Sequence, residues 1–242
     1  MLQYLLRKYA DILSAYEVIG SRYVYTRKYW DLVKLVCFNK QRIKYVLDAG
    51  SGPCNQGYGV LNLCNTSLIA CLDISNEVLK SGKLNYLGKL SKGLMEFIAG
   101  DLRKMPFRDE VFDSVVSIAT LHHLEANDLL TALREIKRVT KSSGTVLIST
   151  WSPWQIRFIL WLIISYICKV INPKIPVRRV LVPWKIKRLK RKVLRYYVLY
   201  TLSEIRSFIK EVGLKEVISD IYTPFKRRLV KNNFVLALKH ED

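Results

Sequence analysis

The sequence has 242 residues, half of them hydrophobic, and a formal net charge of +20. This length and composition predict one large domain with a real core, with or without an insertion, and exclude a chain that lacks a core. The charge is uneven, because residues 151–242 hold 20 Lys and Arg against 6 Asp and Glu, whereas residues 1–150 hold 20 against 14. The excess indicates a polyanionic partner, nucleic acid first and an anionic membrane surface second, with a solvated basic face as the alternative.

In chain order, the predicted elements begin with two helices, over residues 2–19 and 22–38. Five strands follow, interleaved with helices. The strands are expected at 44–49, 68–73, 95–99, 112–118 and 144–150, and the helices near 57–65, 76–90 and 126–140. The strands are continuous apolar runs, as in sheets covered by helices on both faces. The alternation predicts an α/β fold with a doubly wound, mostly parallel sheet.

The alternation breaks after Thr150. Residues 151–195 contain four prolines, an apolar run and, from Lys174 to Arg195, ten basic residues without an acid, so we interpret 151–200 as an insertion. A helix at 202–212 and strands at 215–222 and 233–239, with a turn at Pro224, then predict an antiparallel hairpin at one sheet edge. We expect one domain over 1–242, with a helical extension (1–40), a cofactor-binding half (41–150), the insertion and a C-terminal part (201–242).

The apolar run Phe158–Cys168 lies between Arg157 and Lys169. Its eleven residues are too few for a bilayer span, which needs about 20. We therefore expect a buried or interfacial helix, covered by the core or by a partner. A contact with one membrane leaflet is the alternative.

The five cysteines show no CxxC pair and are odd in number: Cys37, Cys54, Cys64, Cys71 and Cys168. This pattern predicts reduced intracellular thiols, with neither a disulfide framework nor a metal site. Residues 1–6 do not resemble a signal peptide, because Arg7 and Lys8 follow a short apolar patch at once. A cytoplasmic protein is the expectation.

A turn with the sequence Asp48-Ala-Gly50-Ser-Gly52 follows the first predicted strand. Its glycines allow positive φ and let a ligand approach bare backbone. Asp73 ends the second strand 25 residues after Asp48, near the spacing at which an acid meets ribose hydroxyls. A helix N-cap is the alternative role for Asp73. Asn55 replaces the third glycine of a dinucleotide motif, which disfavours NAD.

Asp101 and Leu102 follow the third strand, where a carboxylate accepts from an adenine amino group and a backbone N–H donates to the ring. Together with the glycine turn and Asp73, this set resembles the class I S-adenosylmethionine-dependent methyltransferases over residues 44–150. The resemblance implies a seven-stranded Rossmann-like fold with S-adenosylmethionine as cofactor. It also implies cofactor contacts from Asp48, Gly50, Gly52, Asp73, Ile74, Asp101, Leu102 and Ala119.

Five further motifs restrict the resemblance to one group of these methyltransferases. They are Tyr25-Thr-Arg27 with Trp30, Ile118-Ala with His122-His123, Trp151 with Gln155, Pro183-Trp184-Lys185 and Arg195-Tyr196-Tyr197. In order and spacing they are similar to the tRNA methyltransferases that methyl-esterify 5-carboxymethyluridine at wobble position 34. That family implies two partners, the anticodon loop of tRNA and a small zinc-containing activator subunit.

The resemblance implies roles for these residues. Arg27 and Arg195 would hold the substrate carboxylate, and His122 would hydrogen-bond the carboxylate or the uracil edge. Substrate contacts are expected from Trp30, Trp151, Lys185, Tyr196 and Tyr197, with core packing as the alternative for the aromatic residues. A carboxylate acceptor is already ionised at neutral pH, so catalysis needs placement and desolvation rather than a strong base.

Two departures separate this sequence from the family. Pro53-Cys-Asn-Gln-Gly57 replaces the usual tight glycine loop, and Val198 stands where a His often follows Arg-Tyr-Tyr. Two other functions therefore stay open: a methyltransferase for a lipid or quinone at a membrane, and a non-catalytic RNA-binding protein of the same fold.

Overall fold

Seven strands form the central sheet, and their order across it is β3-β2-β1-β4-β5-β9-β8. The computed structural model describes residues 12–23, 28–37, 43–64, 66–87, 94–174, 176–186, 191–224 and 230–240. The strands are β1 (Ile43–Ala49), β2 (Thr66–Asp73), β3 (Leu94–Ala99), β4 (Phe112–Ile118), β5 (Thr140–Trp151), β8 (Leu214–Tyr222) and β9 (Asn232–Lys239). The first five are parallel, while β9 is antiparallel to both β5 and β8. The predicted fold class and edge hairpin are confirmed.

The described helices are α1 (Ile12–Tyr23), α2 (Asn55–Leu63), α3 (Asn76–Tyr86), α4 (Ala126–Val139), α5 (Ile156–Ile171) and α6 (Leu202–Glu211). Side chains alternate across the sheet, so that Leu47 packs in the core cluster with α4 and α6 while Val46 packs on the opposite face with α2. Both faces are covered, which explains the continuous apolar strands.

The strand order reverses between β1 and β4, which are neighbours although two strands separate them in sequence. In such sheets the carboxyl ends of the strands diverge at this point and leave a crevice for a ligand. The turn after β1, the end of β2 and the residues after β4 therefore converge on one edge of the sheet.

The prediction of one helix over 22–38 is wrong for the described residues. α1 ends at Tyr23, residues 28–30 are not helical, and Asp31–Cys37 form a 3₁₀ helix. This short element buries Leu32, Val33 and Val36 against the sheet. Tertiary packing of three apolar residues therefore outweighs the helical pattern. Residues 2–11 of the other predicted helix lie outside the described residues.

The insertion contains more structure than the sequence analysis predicts. After α5, strands β6 (Arg179–Ile186) and β7 (Arg191–Val198) form a separate antiparallel sheet. A 3₁₀ helix at Leu121–His123 packs near β7. The insertion thus returns to the carboxyl edge of the main sheet.

The prediction of reduced thiols is wrong for four of the five cysteines. Disulfides join Cys37 to Cys64 and Cys54 to Cys71, and Cys168 is free. The partners are 27 and 17 residues apart, and the fold alone brings them together. Spacing in the sequence therefore cannot reveal the pairs.

Candidate active-site cleft

The glycine turn after β1 is tied to the end of β2. The N–H groups of Gly50 and Ser51 donate to the carbonyl of Leu72 at 2.8 and 2.9 Å. Gly50 has φ +72°, and a Cβ there would lie 2.0 Å from Cγ2 of Thr120, the second residue after β4. Glycine is required here because the turn adopts a left-handed backbone and packs directly against the β4 loop.

Asp73, at the end of β2, lines the cleft and fastens the same turn. Its Oδ2 accepts from the N–H of Gly52 at 2.7 Å, and its Oδ1 accepts from the N–H of Ser75 at 2.9 Å. Burial raises its pKa, and the nearby Glu17 carboxylate adds to the rise. A carboxylate oxygen has more than one acceptor position, so Asp73 can also receive the two hydroxyls of a ribose.

Asp48 is placed beneath the cleft rather than in it. The side chain is fully buried, and its Oδ2 accepts from the N–H of Gly57 at 2.7 Å, in the first turn of α2. Burial raises the pKa of Asp48 to about 7. This contact fixes the start of α2 relative to β1, and a direct cofactor contact from Asp48 stays a prediction.

Three other predicted cofactor residues do not line the cleft: Ile74, Asp101 and Leu102. The carboxylate of Asp101 pairs with the guanidinium of Arg103 at 2.6 Å, and this hydrogen bond lowers the pKa of Asp101. A contact between Asp101 and adenine would therefore share the carboxylate with Arg103. The roles of these residues stay predictions.

An aromatic wall lines the same cleft as the glycine turn, and each of its side chains is at most 7% exposed. His122, Trp151 and Tyr197 line it together with Trp30 and Ala119. The His122 and Trp151 rings stack with centroids 5.3 Å apart, and Tyr197 meets both edge-on at 4.7 and 4.4 Å. The loop after β4, the end of β5 and strand β7 therefore build one surface.

The two adjacent histidines have different environments. The N–H of Trp151 donates to Nδ1 of His122 at 3.3 Å, which places the proton of a neutral His122 on Nε2. Nδ1 of His123 bonds the carbonyl of Tyr196 at 2.9 Å, and its Nε2 bonds the hydroxyl of Tyr16 at 3.2 Å. Burial lowers the pKa of His123 to about 3, so His123 is neutral.

The remaining predicted substrate residues surround this wall. The guanidinium of Arg195 is buried, 4.9 Å from the Trp184 ring and 5.2 Å from the Tyr197 ring. The hydroxyl of Tyr196 donates to Glu125, which also pairs with Arg179. Neither Arg195 nor Tyr196 lines the cleft. Arg27 lies outside the described residues, as does the side chain of Lys185.

Several lining residues were not predicted: Tyr16, Ser51, Pro53, Asn55, Gln56, Ile118, Thr120 and His123. Most are neighbours of predicted residues, so proximity to the motifs is the signal that finds them. Tyr16 comes from α1, and its contact with His123 depends on how α1 packs on the domain. Among the described residues, no three His, Cys, Asp or Glu side chains group as metal ligands.

Part of this chain is similar in sequence to known methyltransferases. Residues 47–148 match the family described as a methyltransferase domain. The chain is 34% identical over 142 residues to a tRNA (carboxymethyluridine(34)-5-O)-methyltransferase of Arabidopsis thaliana, covering 58% of this chain and 32% of that protein. It is 26% identical over 158 residues to a demethylmenaquinone methyltransferase of Streptomyces griseus, covering 60% of this chain and 64% of that protein. The chain thus spans less than two thirds of each relative.

Solved structures show the same fold. A SAM-dependent methyltransferase of Methanosarcina mazei superposes with a TM-score of 0.70 at 14% identity, covering 89% of this chain and all of that one. A chain from a complex between the Haloferax volcanii Trm112 methyltransferase activator and a methyltransferase superposes with a TM-score of 0.69 at 14% identity. The match covers 96% of this chain and 99% of that one.

The cleft fits the cofactor of this fold. The Asp73 carboxylate suits a ribose diol, and the turn from Gly50 to Gly52 brings bare backbone to the same edge of the sheet. S-adenosylmethionine is the cofactor that belongs to such a domain. Residues 47–148 are thus a methyltransferase domain, and the fold around them is that of solved S-adenosylmethionine-dependent methyltransferases.

Proposed function

We propose that this protein methylates the carboxymethyl group of the wobble uridine in a tRNA anticodon loop. The observation that carries the proposal is the aromatic wall of His122, Trp151 and Tyr197, which lines one cleft together with the glycine turn and Asp73. Aromatic faces bind the splayed bases of single-stranded loops by stacking. The likeness to the Arabidopsis enzyme supports this substrate class.

The proposed reaction requires little acid–base catalysis by the protein. Bound S-adenosylmethionine would supply an activated methyl group, and because the accepting carboxylate is already ionised at neutral pH, no proton transfer is required. The protein must hold the carboxylate in line and exclude water. In this proposal the Nε2–H of His122 donates to the carboxylate or to the uracil edge, while Trp30, Trp151 and Tyr197 enclose the base.

A cation is needed to hold the substrate carboxylate, and Arg27 and Arg195 stay the proposed residues. Arg195 is buried between two aromatic rings, so it would act by orienting Tyr197 unless the hairpin of β6 and β7 moves. The exposed guanidinium of Arg157 lies 4.1 Å from the Trp151 ring and is a third candidate.

Two partners follow from the proposal. The basic residues of the insertion, Lys185 among them, would follow the anticodon-stem phosphates, and such binding weakens steeply with salt. Tyr196 stays a proposed contact to the substrate bases. A small zinc-containing activator subunit is the second partner, supported by the likeness to the methyltransferase in the Trm112 complex. Localisation in the cytoplasm stays part of this proposal, and the two disulfides, which are rare in that compartment, argue against it.

The test is methyl transfer to tRNA that carries carboxymethyluridine, followed by nucleoside mass spectrometry. The protein is assayed alone and after co-expression with an activator subunit. We expect a methyl ester at the wobble uridine and no product on the same tRNA lacking the carboxymethyl group. Transfer to free small acids, with none to that tRNA, would contradict the proposal.

A second candidate is a methyltransferase for a lipid-soluble quinone. Helix α5, which follows the cleft residue Trp151, exposes large apolar side chains, and the chain is similar to a demethylmenaquinone methyltransferase. Methylation of a demethylquinone in detergent or vesicles, without activity on tRNA, would favour this function.

A further inference from the structure

Helix α5 is apolar around most of its circumference. All of its 16 residues are described, and those buried are Phe158, Leu162 and Ser165, which form one stripe at i, i+4 and i+7. The core therefore covers only this stripe, so of the expected buried or interfacial helix the core-buried alternative is wrong for most of the surface. Ten large hydrophobic side chains are at least 40% exposed: Ile156, Ile159, Leu160, Trp161, Ile163, Ile164, Tyr166, Ile167, Val170 and Ile171.

The direction of these side chains restricts what can cover them. At about 100° per residue, Ile163, Ile164, Leu160 and Ile167 point away from the buried stripe. Tyr166 and Trp161 lie on the two flanks. A single flat protein surface covers one side of a helix. A medium that surrounds the helix on its outer side and both flanks suits this distribution better.

The apolar surface continues beyond the helix. A cavity of about 410 Å³ opens beside α5, lined mainly by Trp154, Ile159, Ile163, Tyr166 and Ile167. Trp154, which lies just before the helix, is 58% exposed. Tryptophan and tyrosine beside aliphatic residues are typical of segments at the membrane–water interface.

The segment that contains α5 is basic, although two of its arginines, Arg178 and Arg179, pair with Glu204 and Glu125. Residues 151–203 contain twelve Lys and Arg and no Asp or Glu. Arg157, Lys169 and Lys174, within or just after α5, are exposed. This charge complements an anionic lipid surface, to which each nearby cation adds about 1 kcal/mol. Two copies of the chain meeting through α5 would bring the same charges together.

We propose that α5 is an interfacial helix that binds the surface of an anionic bilayer. Its 16 residues extend about 24 Å, less than a hydrocarbon core of about 30 Å. Within the described residues, no helix is long and apolar enough to cross a membrane. The helix would lie in the headgroup region, with its outer side in the acyl boundary and its basic residues at the phosphates. This inference holds whether the methyl acceptor is a tRNA or a quinone.

Vesicle flotation of the full chain tests the proposal. Vesicles of phosphatidylcholine with phosphatidylserine are compared with phosphatidylcholine alone, at low and high salt. We expect binding to the anionic vesicles that falls with salt. The double variant L160D/I167D puts charges on the outer side of α5, and its partition should fall by about tenfold or more. L84D is the matched control, since Leu84 is 73% exposed on another helix, α3, and should bind like the wild type.

A second readout does not depend on the double variant. Brominated lipids should quench the tryptophan fluorescence of the bound protein, and W154F/W161F should lose most of that quenching. Circular dichroism of each variant establishes that it folds. Methyl transfer is measured without vesicles, so failure of the proposed function is separate from failure of this inference.

Three outcomes would overturn the proposal. The first is wild-type protein that does not bind the anionic vesicles. The second is L160D/I167D floating as well as L84D. The third is a dimer, a protein complex or tRNA binding that is lost in L160D/I167D while no vesicle binding occurs, because α5 would then be covered by another macromolecule.

Discussion

The backbone N–H of Trp151 donates to Nδ1 of His122 over 3.3 Å, and the two rings stack with centroids 5.3 Å apart. An imidazole nitrogen that accepts carries no proton, so in the neutral ring Nε2 is the donor. Strand β5 thereby fixes both the plane of the His122 ring and the position of the proton in its neutral form.

Asparagine and glutamine at position 122 distinguish the acceptor at Nδ1 of His122 from the donor at Nε2. His122→Asn keeps an acceptor near Nδ1 but removes the Nε2–H donor, and we expect kcat/KM to fall by about 10- to 100-fold. His122→Gln keeps a donor near Nε2 and should retain more activity. Methyl-transfer kinetics and calorimetry of S-adenosylmethionine binding, which should not change, provide the measurements. Wild-type kinetics in His122→Asn would exclude the proposed role.

Replacing Asp73 by asparagine should weaken cofactor binding. The amide lacks one of the two oxygens that accept from Gly52 and Ser75, and it removes the charge offered to a ribose diol. Hydrogen bonds to charged groups contribute about 1.5–3 kcal/mol, so we expect the Kd to rise by about tenfold or more. Calorimetry measures it. Glu77→Gln, at an exposed residue of α3 that pairs with Lys80, is the control and should bind normally.

Asp73 also shows how far sequence reasoning reaches. The order of strands and the acid at the end of β2 follow from apolar periodicity and spacing, and both are found where they are expected. The contact of Tyr16 with His123 joins residues 107 positions apart, and it depends on the packing of α1. The position of Tyr197 depends on the pairing of β6 with β7, in a basic segment whose pattern predicts no strand.

The left-handed turn at Gly50 should tolerate no side chain. Gly50→Ala adds a Cβ 2.0 Å from Cγ2 of Thr120, so we expect lower stability and loss of cofactor binding. Gly213→Ala is the control, because Gly213 has φ +74° but its Cβ would lie 3.1 Å from Nζ of Lys137, far from the cleft. Gly213→Ala should lose stability but keep its affinity for the cofactor. The double variant G50A/T120S removes the clashing methyl and should regain part of the binding, measured by thermal shift with and without S-adenosylmethionine.

Asp48 predicts a specific dependence of stability on pH. Burial raises the pKa of Asp48 to about 7, whereas the unfolded chain keeps a value of about 4. Between these values the folded state holds more protons, so stability falls as pH rises from about 4 to about 7 and then levels off, by roughly 4 kcal/mol at most. Asp48→Asn should remove this slope in urea unfolding across that range.

Glu135, whose pKa is shifted in the opposite direction, is the control for that experiment. The hydrogen bond from Arg138 lowers the pKa of Glu135, so its stabilisation is present above the unfolded pKa and lost as pH falls through the folded pKa. Relative to Glu135→Gln, the wild type should therefore gain stability as pH rises. Equal slopes for wild type and Asp48→Asn would show that Asp48 has an ordinary pKa.

The disulfides make a prediction that a thiol count decides. Without reductant, the denatured protein should titrate one thiol, Cys168, and after reduction it should titrate five. Loss of the Cys37–Cys64 bond in C37S/C64S should cost about 3 kcal/mol of stability and leave cofactor affinity unchanged. Because Cys54 is the N-cap of α2, beside the cleft residues Pro53 and Asn55, C54S/C71S should also weaken S-adenosylmethionine binding. Five reactive thiols before reduction would instead restore the reduced state that the cysteine spacing predicts.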